Sequence, residues 1–215
     1  MNQSRNNILG KLKAELKGVT PESVKFDAIY YPPLLDESDW LSTFTINLVN
    51  NNAIVKHIND ADVAETVASF LKEQKISQLM IGDKTWSEKL NTHLQADIEV
   101  LPCYKNLSTE KHEVFATVPA SMTTSAGAIA STGTIVLKPD ENEPRALSLI
   151  PPVHIVLVKK SELFADLPSI IKAQSWQTSL PTNLILLSGP SKTADIQQTL
   201  AYGAHGPKTL LVLVI

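Results

Sequence analysis

The turn Thr132-Gly133-Thr134 is one of two places in this sequence where side chains and backbone could cooperate in binding a small molecule. Backbone N–H groups and two hydroxyls that face one point can hold an anion or a polar substrate. The same residues also suit a plain hairpin, in which the glycine adopts a positive φ and the hydroxyls bond the backbone. A single glycine is a weak phosphate-loop signal, so the pattern favours the hairpin and keeps the three residues as ligand-binding candidates.

A second turn, Ser188-Gly189-Pro190-Ser191, follows an apolar run over residues 183–187 and precedes a predicted helix over residues 191–202. In a doubly wound sheet such a junction lies at the carboxyl end of a strand, where ligands bind. Unpaired N–H groups at the start of the helix would attract an anion. The Pro-Ser pair equally suits simple helix capping, and Asp195 would already complement the helix dipole. Both interpretations of Ser188, Gly189 and Ser191 therefore stay open.

Arg145 is a third candidate, because the chain contains only one other arginine, Arg5. In a binding role, its planar guanidinium would clamp a carboxylate or a phosphate through two hydrogen bonds. In a surface role, it would pair with Glu141 or Glu143 and would contribute little to stability. The scarcity of arginine keeps Arg145 among the ligand-binding candidates.

Histidine and cysteine form no recognisable catalytic or metal-binding pattern. His154 would open a strand and His205 would precede the last strand, so both would lie at the amino ends of parallel strands, opposite the usual ligand edge. We expect both to be hydrogen-bonded structural residues. Cys103 has no histidine in a partner motif and is predicted to pack as a small residue. No metal site is predicted, and the catalytic residues, if the protein is an enzyme, are not identified.

Charge and cysteine content exclude several functional classes. The net charge is −3, and no basic stripe of the kind that binds nucleic acid is visible. One cysteine cannot supply the thiolates of an iron–sulfur cluster, and a lone thiol is compatible with a reducing compartment. The longest apolar run, residues 210–215, is too short to span a bilayer, and the N-terminus lacks the apolar core of a signal peptide. We expect a cytoplasmic protein with no cofactor bound to this chain.

The spacing of apolar residues predicts the elements that position these turns. In the first half it predicts strands over residues 53–58, 78–81 and 98–101, and helices over residues 4–17, 38–49, 60–75 and 85–94, with a possible further helix over 109–115. In the second half it predicts a hairpin of strands 125–130 and 134–137 and further strands over 153–158, 183–187 and 210–215. It also predicts one or two helices over 161–174, broken by Pro168, and the helix over 191–202.

Strands separated by helices are typical of an α/β protein with a mostly parallel sheet and helices on both faces. The last three predicted strands are apolar on both sides, as strands buried between two layers are. We predict an α/β domain over residues 53–215. Residues 1–52 are predicted to form an N-terminal helical extension that packs on this domain.

Three segments resemble the signature blocks of the LUD domain in the LutC/YkgG (lactate utilization protein C) family. They are Ala128-Ile129-Ala130-Ser131-Thr132-Gly133-Thr134-Ile135-Val136-Leu137, then Arg145-Ala146-Leu147-Ser148-Leu149-Ile150-Pro151-Pro152-Val153-His154-Ile155-Val156, and then Ser188-Gly189-Pro190-Ser191-Lys192-Thr193-Ala194-Asp195-Ile196 continuing to Tyr202-Gly203-Ala204-His205-Gly206-Pro207. The helix that begins near Arg5 is also similar to the opening of the family.

The resemblance implies a fold related to the NagB/RpiA/CoA-transferase group. It also implies a role in oxidising L-lactate to pyruvate beside iron–sulfur partner proteins, which would carry the redox cofactors. One position departs from the family pattern, because Ser131 stands where a glutamate usually precedes the Thr-Gly-Thr turn. Because serine lacks a carboxylate, this departure argues against acid–base chemistry at the turn.

Three hypotheses about function follow. The leading one is an accessory or non-redox subunit of an iron–sulfur system for lactate oxidation, with a possible small anionic ligand. The alternative is a stand-alone enzyme of the sugar-phosphate isomerase or CoA-transferase type that binds a small anion; it rests on fold analogy alone. The third is an interaction scaffold without a ligand, docked through the apolar stripe of the N-terminal helix. Whether the protein is an enzyme is left open.

Overall fold

The computed structural model describes residues 2–18, 35–82, 84–94, 98–103, 118–176, 178–194, 200–203 and 205–215. The chain divides into two compact units, residues 1–34 and residues 35–215. The smaller unit is described through its helix α1 (Asn2–Glu15). The predicted boundary at residue 52 stays a prediction, and the possible helix over residues 109–115 lies outside the described residues.

The larger unit alternates strands and helices along the chain. Its helices are α2 (Glu37–Asn50), α3 (Val63–Glu73), α4 (Lys84–Leu94), α5 (Ala146–Leu149) and α6 (Leu167–Ala173). Its strands are β1 (Ile54–His57), β2 (Gln78–Ile81), β3 (Glu99–Pro102), β4 (Ala120–Thr124), β5 (Gly127–Ile129), β6 (Thr134–Leu137), β7 (Val153–Val158), β8 (Leu163–Phe164), β9 (Ile185–Leu187), β10 (Lys192–Ala194), β11 (Leu200–Tyr202) and β12 (Thr209–Val214).

The main sheet has six strands, all parallel, in the order β1-β12-β7-β4-β2-β3. The prediction of an α/β fold built on a parallel sheet is confirmed. Strand β7 lies at the centre and is buried along its whole length. Strand β4, which lies between β7 and β2, was not among the predicted strands, because its sequence Ala-Ser-Met-Thr-Thr is short and mostly polar.

Side chains on the central strands alternate between two hydrophobic clusters, as the two-residue period of a strand requires. Ile155 and Leu157 of β7 face a cluster formed with α3 and α4. Val156 and Val158 face the opposite cluster, which includes Phe44 of α2. Helices thus cover both faces of the sheet. Helix α3 is the clearest amphipathic element, with its buried residues at helical spacing: Val63, Val67, Phe70 and Leu71.

A second, four-stranded sheet in the order β8-β5-β6-β9 covers part of the α2 side of the main sheet. Strands β5 and β6 form the predicted hairpin, paired from Gly127↔Val136 to Ile129↔Thr134. The prediction of a helix broken by Pro168 over residues 161–174 was wrong in its first half, which contains β8. Pro168 lies in the first turn of α6, where its missing N–H is tolerated, and Asp166 caps that helix through Ser169 N.

Two further predictions concern the last third of the chain: the strand over residues 183–187 is confirmed as a strand, but its expected place in the buried parallel sheet was wrong, and the helix over residues 191–202 was wrong. Residues 185–187 form β9, which pairs antiparallel with β6 in the small sheet and is absent from the parallel sheet. The predicted helix over residues 191–202 is instead a pair of antiparallel strands, β10 and β11. The local sequence of the first segment specifies a strand but not its partner β6, whereas in the second segment antiparallel pairing of β10 with β11 replaces the predicted helix.

Candidate functional site

Three of the predicted site residues form a chain of hydroxyl groups. Thr132 Oγ1 lies 2.7 Å from Thr134 Oγ1, which lies 2.8 Å from Ser188 Oγ. Antiparallel pairing of β6 with β9 carries Ser188 to the start of β6, although the two hydroxyls are far apart in sequence. The structure therefore brings together hydroxyls from both predicted turns. Because these hydroxyls bond one another, part of their hydrogen-bonding capacity is already used.

The two glycines of these turns pack against the end of α2. Gly133 has a φ of 61°, and a Cβ added there would lie 2.5 Å from Cβ of Asn47. Gly189 has a φ of 152°, and a Cβ there would lie 2.7 Å from the carbonyl oxygen of Asn51. Asn47 also donates to the carbonyl oxygen of Ser131 at 3.1 Å. Both glycines thus have a structural role, and their part in ligand binding stays a prediction.

Ser191 lies between two loops and starts no helix. Its N–H donates to the Pro207 carbonyl at 2.8 Å, and its own carbonyl accepts from Gly203 N at 2.9 Å. Because residues 192–194 form a strand, this turn offers no helix N-terminus that could attract an anion. Arg145 is exposed and precedes α5, where it lines a crevice with Thr123, Leu137 and Ser148 that contains none of the three chained hydroxyls.

The sheet topology points to a different location for a ligand. After β2 the chain passes through α4 to β3, which lies toward one edge of the sheet. After β4 it continues to β7, which lies in the opposite direction across the sheet. Strands β2 and β4 are neighbours, so their carboxyl ends open a crevice where the chain direction reverses. Ligands of open α/β sheets bind at this kind of switch point. Residues at or just after the ends of the two strands, Thr85 and Thr124 to Ala126, line a cleft of about 440 Å³ here.

A loop over residues 138–144 closes one side of this switch-point cleft. The Glu143 carboxylate accepts hydrogen bonds from Thr124 N at 3.1 Å and from Thr124 Oγ1 at 3.0 Å. Asp140 Oδ1 accepts from the backbone N–H groups of Asn142 and Glu143 at 2.7 and 2.8 Å, which holds the loop in a compact turn. Gly82, directly after β2, allows this approach, since an added Cβ would lie 2.2 Å from the Asn142 carbonyl oxygen.

This cleft was not predicted from the sequence. Glu143 was expected only as a surface partner of Arg145, and Gly82 and Ser125 had no predicted role in binding. The available signals were a glycine directly after a strand and a polar run that follows β4. Neither is specific before the strand order is known.

His154 lies inside the core, and Cys103 packs against it. His154 is fully buried, and its Nε2 lies 2.9 Å from Thr123 Oγ1. Burial lowers the pKa of His154 to about 3, so the ring is neutral near pH 7. Cys103 packs against Met80, Val118 and Leu147. Burial, followed by the Glu143 carboxylate, raises the pKa of the Cys103 thiol to about 11, which suppresses its reactivity.

The remaining histidines of the described region lie at the surface. His57 Nε2 is 3.0 Å from Thr45 Oγ1, and partial burial, followed by the Lys160 ammonium, lowers the pKa of the His57 imidazole. His205 is exposed, in the loop before β12. Among the described residues, no three His, Cys, Asp or Glu side chains come close enough to hold a metal ion. In the same part of the chain, no helix has the length and apolar character needed to cross a membrane.

Comparison with known proteins relates most of the chain to one family. The LUD domain family model matches residues 41–215. An uncharacterized protein from Neisseria meningitidis serogroup B is 42% identical over 121 residues, which cover 56% of this chain and 52% of that protein. Lactate utilization protein C 1 from Bacillus mycoides is 27% identical over 99% of this chain and 97% of its own length. Lactate utilization protein C from Deinococcus radiodurans is 27% identical over 99% of this chain and 96% of its own length.

One solved structure shares the fold. The crystal structure of a DUF162 family protein from Deinococcus radiodurans superimposes with a TM-score of 0.60, covering 84% of this chain and 98% of the other. The sequence identity is 23%, so this similarity concerns the fold alone. It supports the α/β architecture described above.

Proposed function

The chain belongs to the LUD domain family, and on that basis we propose that it takes part in lactate utilization as an accessory, non-redox subunit of an iron–sulfur system that oxidises L-lactate to pyruvate. The observation that carries the proposal is similarity over nearly the full length to proteins named lactate utilization protein C. Similarity that spans both ends of the relatives concerns the whole architecture, and therefore supports a shared role better than a short matching motif would.

The cysteine content supports assigning the iron–sulfur clusters to partner proteins and not to this chain. Iron–sulfur clusters are usually held by four thiolates, and this chain contains one cysteine. That cysteine is half-buried, and its thiol has a raised pKa, which disfavours the thiolate that metals require. Redox centres of the system would therefore lie on partner proteins, and this chain would contribute assembly or the handling of a small molecule.

Co-purification from lactate-grown cells tests the proposal. The tagged full chain, expressed in its native cytoplasm, is expected to capture cysteine-rich proteins together with iron, which is quantified in the eluate. Adding the purified chain to those partners is expected to raise the rate of lactate-dependent dye reduction. A preparation from cells grown without lactate serves as the matched control. If the chain elutes free of iron-bearing partners and has no effect on lactate oxidation, the subunit proposal is wrong.

The alternative, a stand-alone enzyme for sugar phosphates or CoA esters, draws support from one observation, the cleft at the switch point between β2 and β4. Among the described residues of its lining, Asp140 and Glu143 carry carboxylates and Lys138 carries an ammonium group. This described lining provides no cluster of cations for a multiply charged phosphate ester. The alternative is therefore the weaker candidate.

A further inference from the structure

Helix α1 exposes all of its large apolar side chains. Ile8, Leu12 and Leu16 are 61%, 54% and 63% exposed, and Leu9 is 38% exposed. The other residues of the segment 3–18 are exposed as well. A helix of 14 residues is only marginally stable in water when nothing packs against it. A partner surface that covers these side chains would supply the packing that the helix lacks.

The apolar side chains form one stripe that continues into an arginine. Because an α-helix has 3.6 residues per turn, positions three, four or seven residues apart lie on the same side. The stripe consists of Ile8, Leu9, Leu12 and Leu16, and Arg5 lies in line with it at its N-terminal end. Leu16 follows the helix but keeps its register, since its N–H donates to the Leu12 carbonyl at 3.1 Å. This spacing is typical of a helix that fills a groove on another protein.

Cationic side chains flank the stripe. Lys11 lies on one side of it and Lys13 on the other, and the segment 2–18 contains a single carboxylate, Glu15. The first 34 residues together carry five cationic and three anionic side chains, a net charge of +2. A partner with carboxylates along the edges of its groove would complement this charge and attract the helix.

Two other occupants fit the stripe less well. Helix α1 of a second copy would bring two helices of the same positive charge together. An anionic bilayer would attract the lysines, but a helix that lies in the interface needs a strongly apolar face, often with Trp or Phe. The α1 stripe is only about 100° wide and contains no aromatic residue, and Arg5 lies in line with it. A carboxylate at a fixed position in a protein groove matches that arginine through two hydrogen bonds.

We propose that helix α1 docks into an apolar groove on the iron–sulfur partner of the lactate-oxidising system, where a carboxylate at the end of the groove pairs with Arg5. Leu9, Leu12 and Leu16 fill the groove, and the lysines face its acidic edges. The inference rests on the proposed function, because that function supplies the partner. It identifies the element of this chain that makes the contact and the chemistry that receives it.

Two glutamine substitutions on opposite sides of α1 test the apolar contact. Leu12→Gln removes a residue of the stripe, whereas Ala14→Gln places the same helix-forming side chain on the opposite side. The full-length variants are compared by biolayer interferometry against the iron-bearing protein that co-purifies with the wild-type chain. Leu12→Gln should bind at least about tenfold more weakly, and Ala14→Gln should differ from wild type by less than about twofold. Equal affinities of the two variants would overturn the docking and leave the proposed function standing.

A second matched pair tests the charge of the groove. Arg5→Gln and Lys17→Gln each remove one positive charge, but only Arg5 lies in line with the stripe. Arg5→Gln should weaken binding about tenfold, because the partner carboxylate loses both hydrogen bonds, and Lys17→Gln should weaken it no more than about threefold. If Arg5→Gln binds as tightly as Lys17→Gln, no carboxylate receives the arginine and the assigned chemistry is wrong.

Vesicle sedimentation separates a protein groove from a bilayer. The full chain is mixed with phosphatidylcholine vesicles that contain phosphatidylglycerol, and with phosphatidylcholine vesicles as the control. We expect the chain to stay in the supernatant in both cases. Sedimentation with the anionic vesicles that Leu12→Gln abolishes would assign the stripe to a bilayer and overturn the groove. A wild-type chain that captures no iron-bearing protein would overturn this inference together with the proposed function.

Discussion

Individual buried polar residues explain how β4 can lie in the centre of a sheet. Ser121 donates to the Leu147 carbonyl, and Thr123 bonds His154 of the neighbouring strand. Both of these buried hydroxyls therefore have a partner, and the cost of removing them from water is offset. The His154 ring is different, because its Nδ1 has no partner among the described residues. Protonating this ring inside the core would be strongly unfavourable.

The stability of the protein should therefore depend on pH through His154. The folded-state pKa of about 3 lies below the ordinary value of 6.5, so the unfolded chain binds a proton first as the pH falls. Stability is then fully present above pH 6.5 and declines toward pH 3, by up to about 1.4 kcal/mol per pH unit. Urea unfolding between pH 7.5 and 5 should show this slope. His154→Gln, which retains a partner for Thr123, should have a shallower slope, and an identical slope would rule out this residue as the cause.

Gly133 should be intolerant of any side chain. An added Cβ would collide with Asn47, and its φ of 61° is unfavourable for alanine. We expect Gly133→Ala to lower the free energy of unfolding by about 1–3 kcal/mol, from overpacking and backbone strain. Gly10→Ala is the matched control, because that glycine lies within α1 with no atom within 4 Å of an added Cβ. Equal stability of the two variants, measured by thermal unfolding, would contradict this contact.

At the scale of elements, the loop over residues 138–144 connects the small sheet to the main sheet across the switch-point cleft. Its attachment depends on Glu143, whose carboxylate accepts from Thr124 at the end of β4. Gly82 at the end of β2 provides the space for the loop backbone. The shape of the cleft thus depends on contacts between elements that lie far apart in the sequence.

Removing the Glu143 carboxylate should release this loop. Glu143→Ala deletes the acceptor for Thr124 N and Oγ1, which we expect to cost about 1–3 kcal/mol of stability. Amide hydrogen exchange at Thr124 should accelerate, while exchange in β7 stays slow. Glu162→Ala, which removes the ion pair with Lys159, is the control and should change stability by less than about 1 kcal/mol. Unaltered exchange at Thr124 would show that Glu143 does not hold the loop.

At the scale of the whole molecule, the hydrophobic clusters of the described region all lie within residues 35–215. They cover both faces of the parallel sheet and the outer face of the small sheet, where Ile170 and Trp176 pack. A unit with its own core can fold alone. The compact unit over residues 35–215 therefore has what independent folding requires.

A chain shortened to residues 35–215 should accordingly stay folded. We expect cooperative thermal unfolding with a melting temperature within a few degrees of the full chain, because no described cluster residue is removed. Far-ultraviolet circular dichroism and a thermal scan would check this outcome. Loss of cooperative unfolding would show that residues 1–34 are required for the fold. If the shortened chain folds but no longer captures iron-bearing partners, the interaction with those partners requires residues 1–34.

Elements with a strong local pattern could be predicted from the sequence. Strands β2 and β7 have the predicted bounds, and α2, α3 and α4 begin and end within a few residues of the prediction. In each case the apolar period is clear, and the stop is local, as at Asn52, which adopts a φ of 65° after α2. The parallel sheet and the membership in the LUD domain family were also accessible from the sequence.

Pairing between distant segments was decided only in the tertiary structure. Strand β4 could not be predicted, because the partners of its buried hydroxyls come from α5 and β7. The antiparallel partner of β9 and the strand conformation of β10 and β11 were likewise not specified by the local pattern. The hydroxyl chain and the switch-point cleft depend on the same non-local contacts. The sequence by itself therefore determined the class of fold and the strongest elements, whereas the site required the strand order that brings Thr124, Gly82 and Glu143 together.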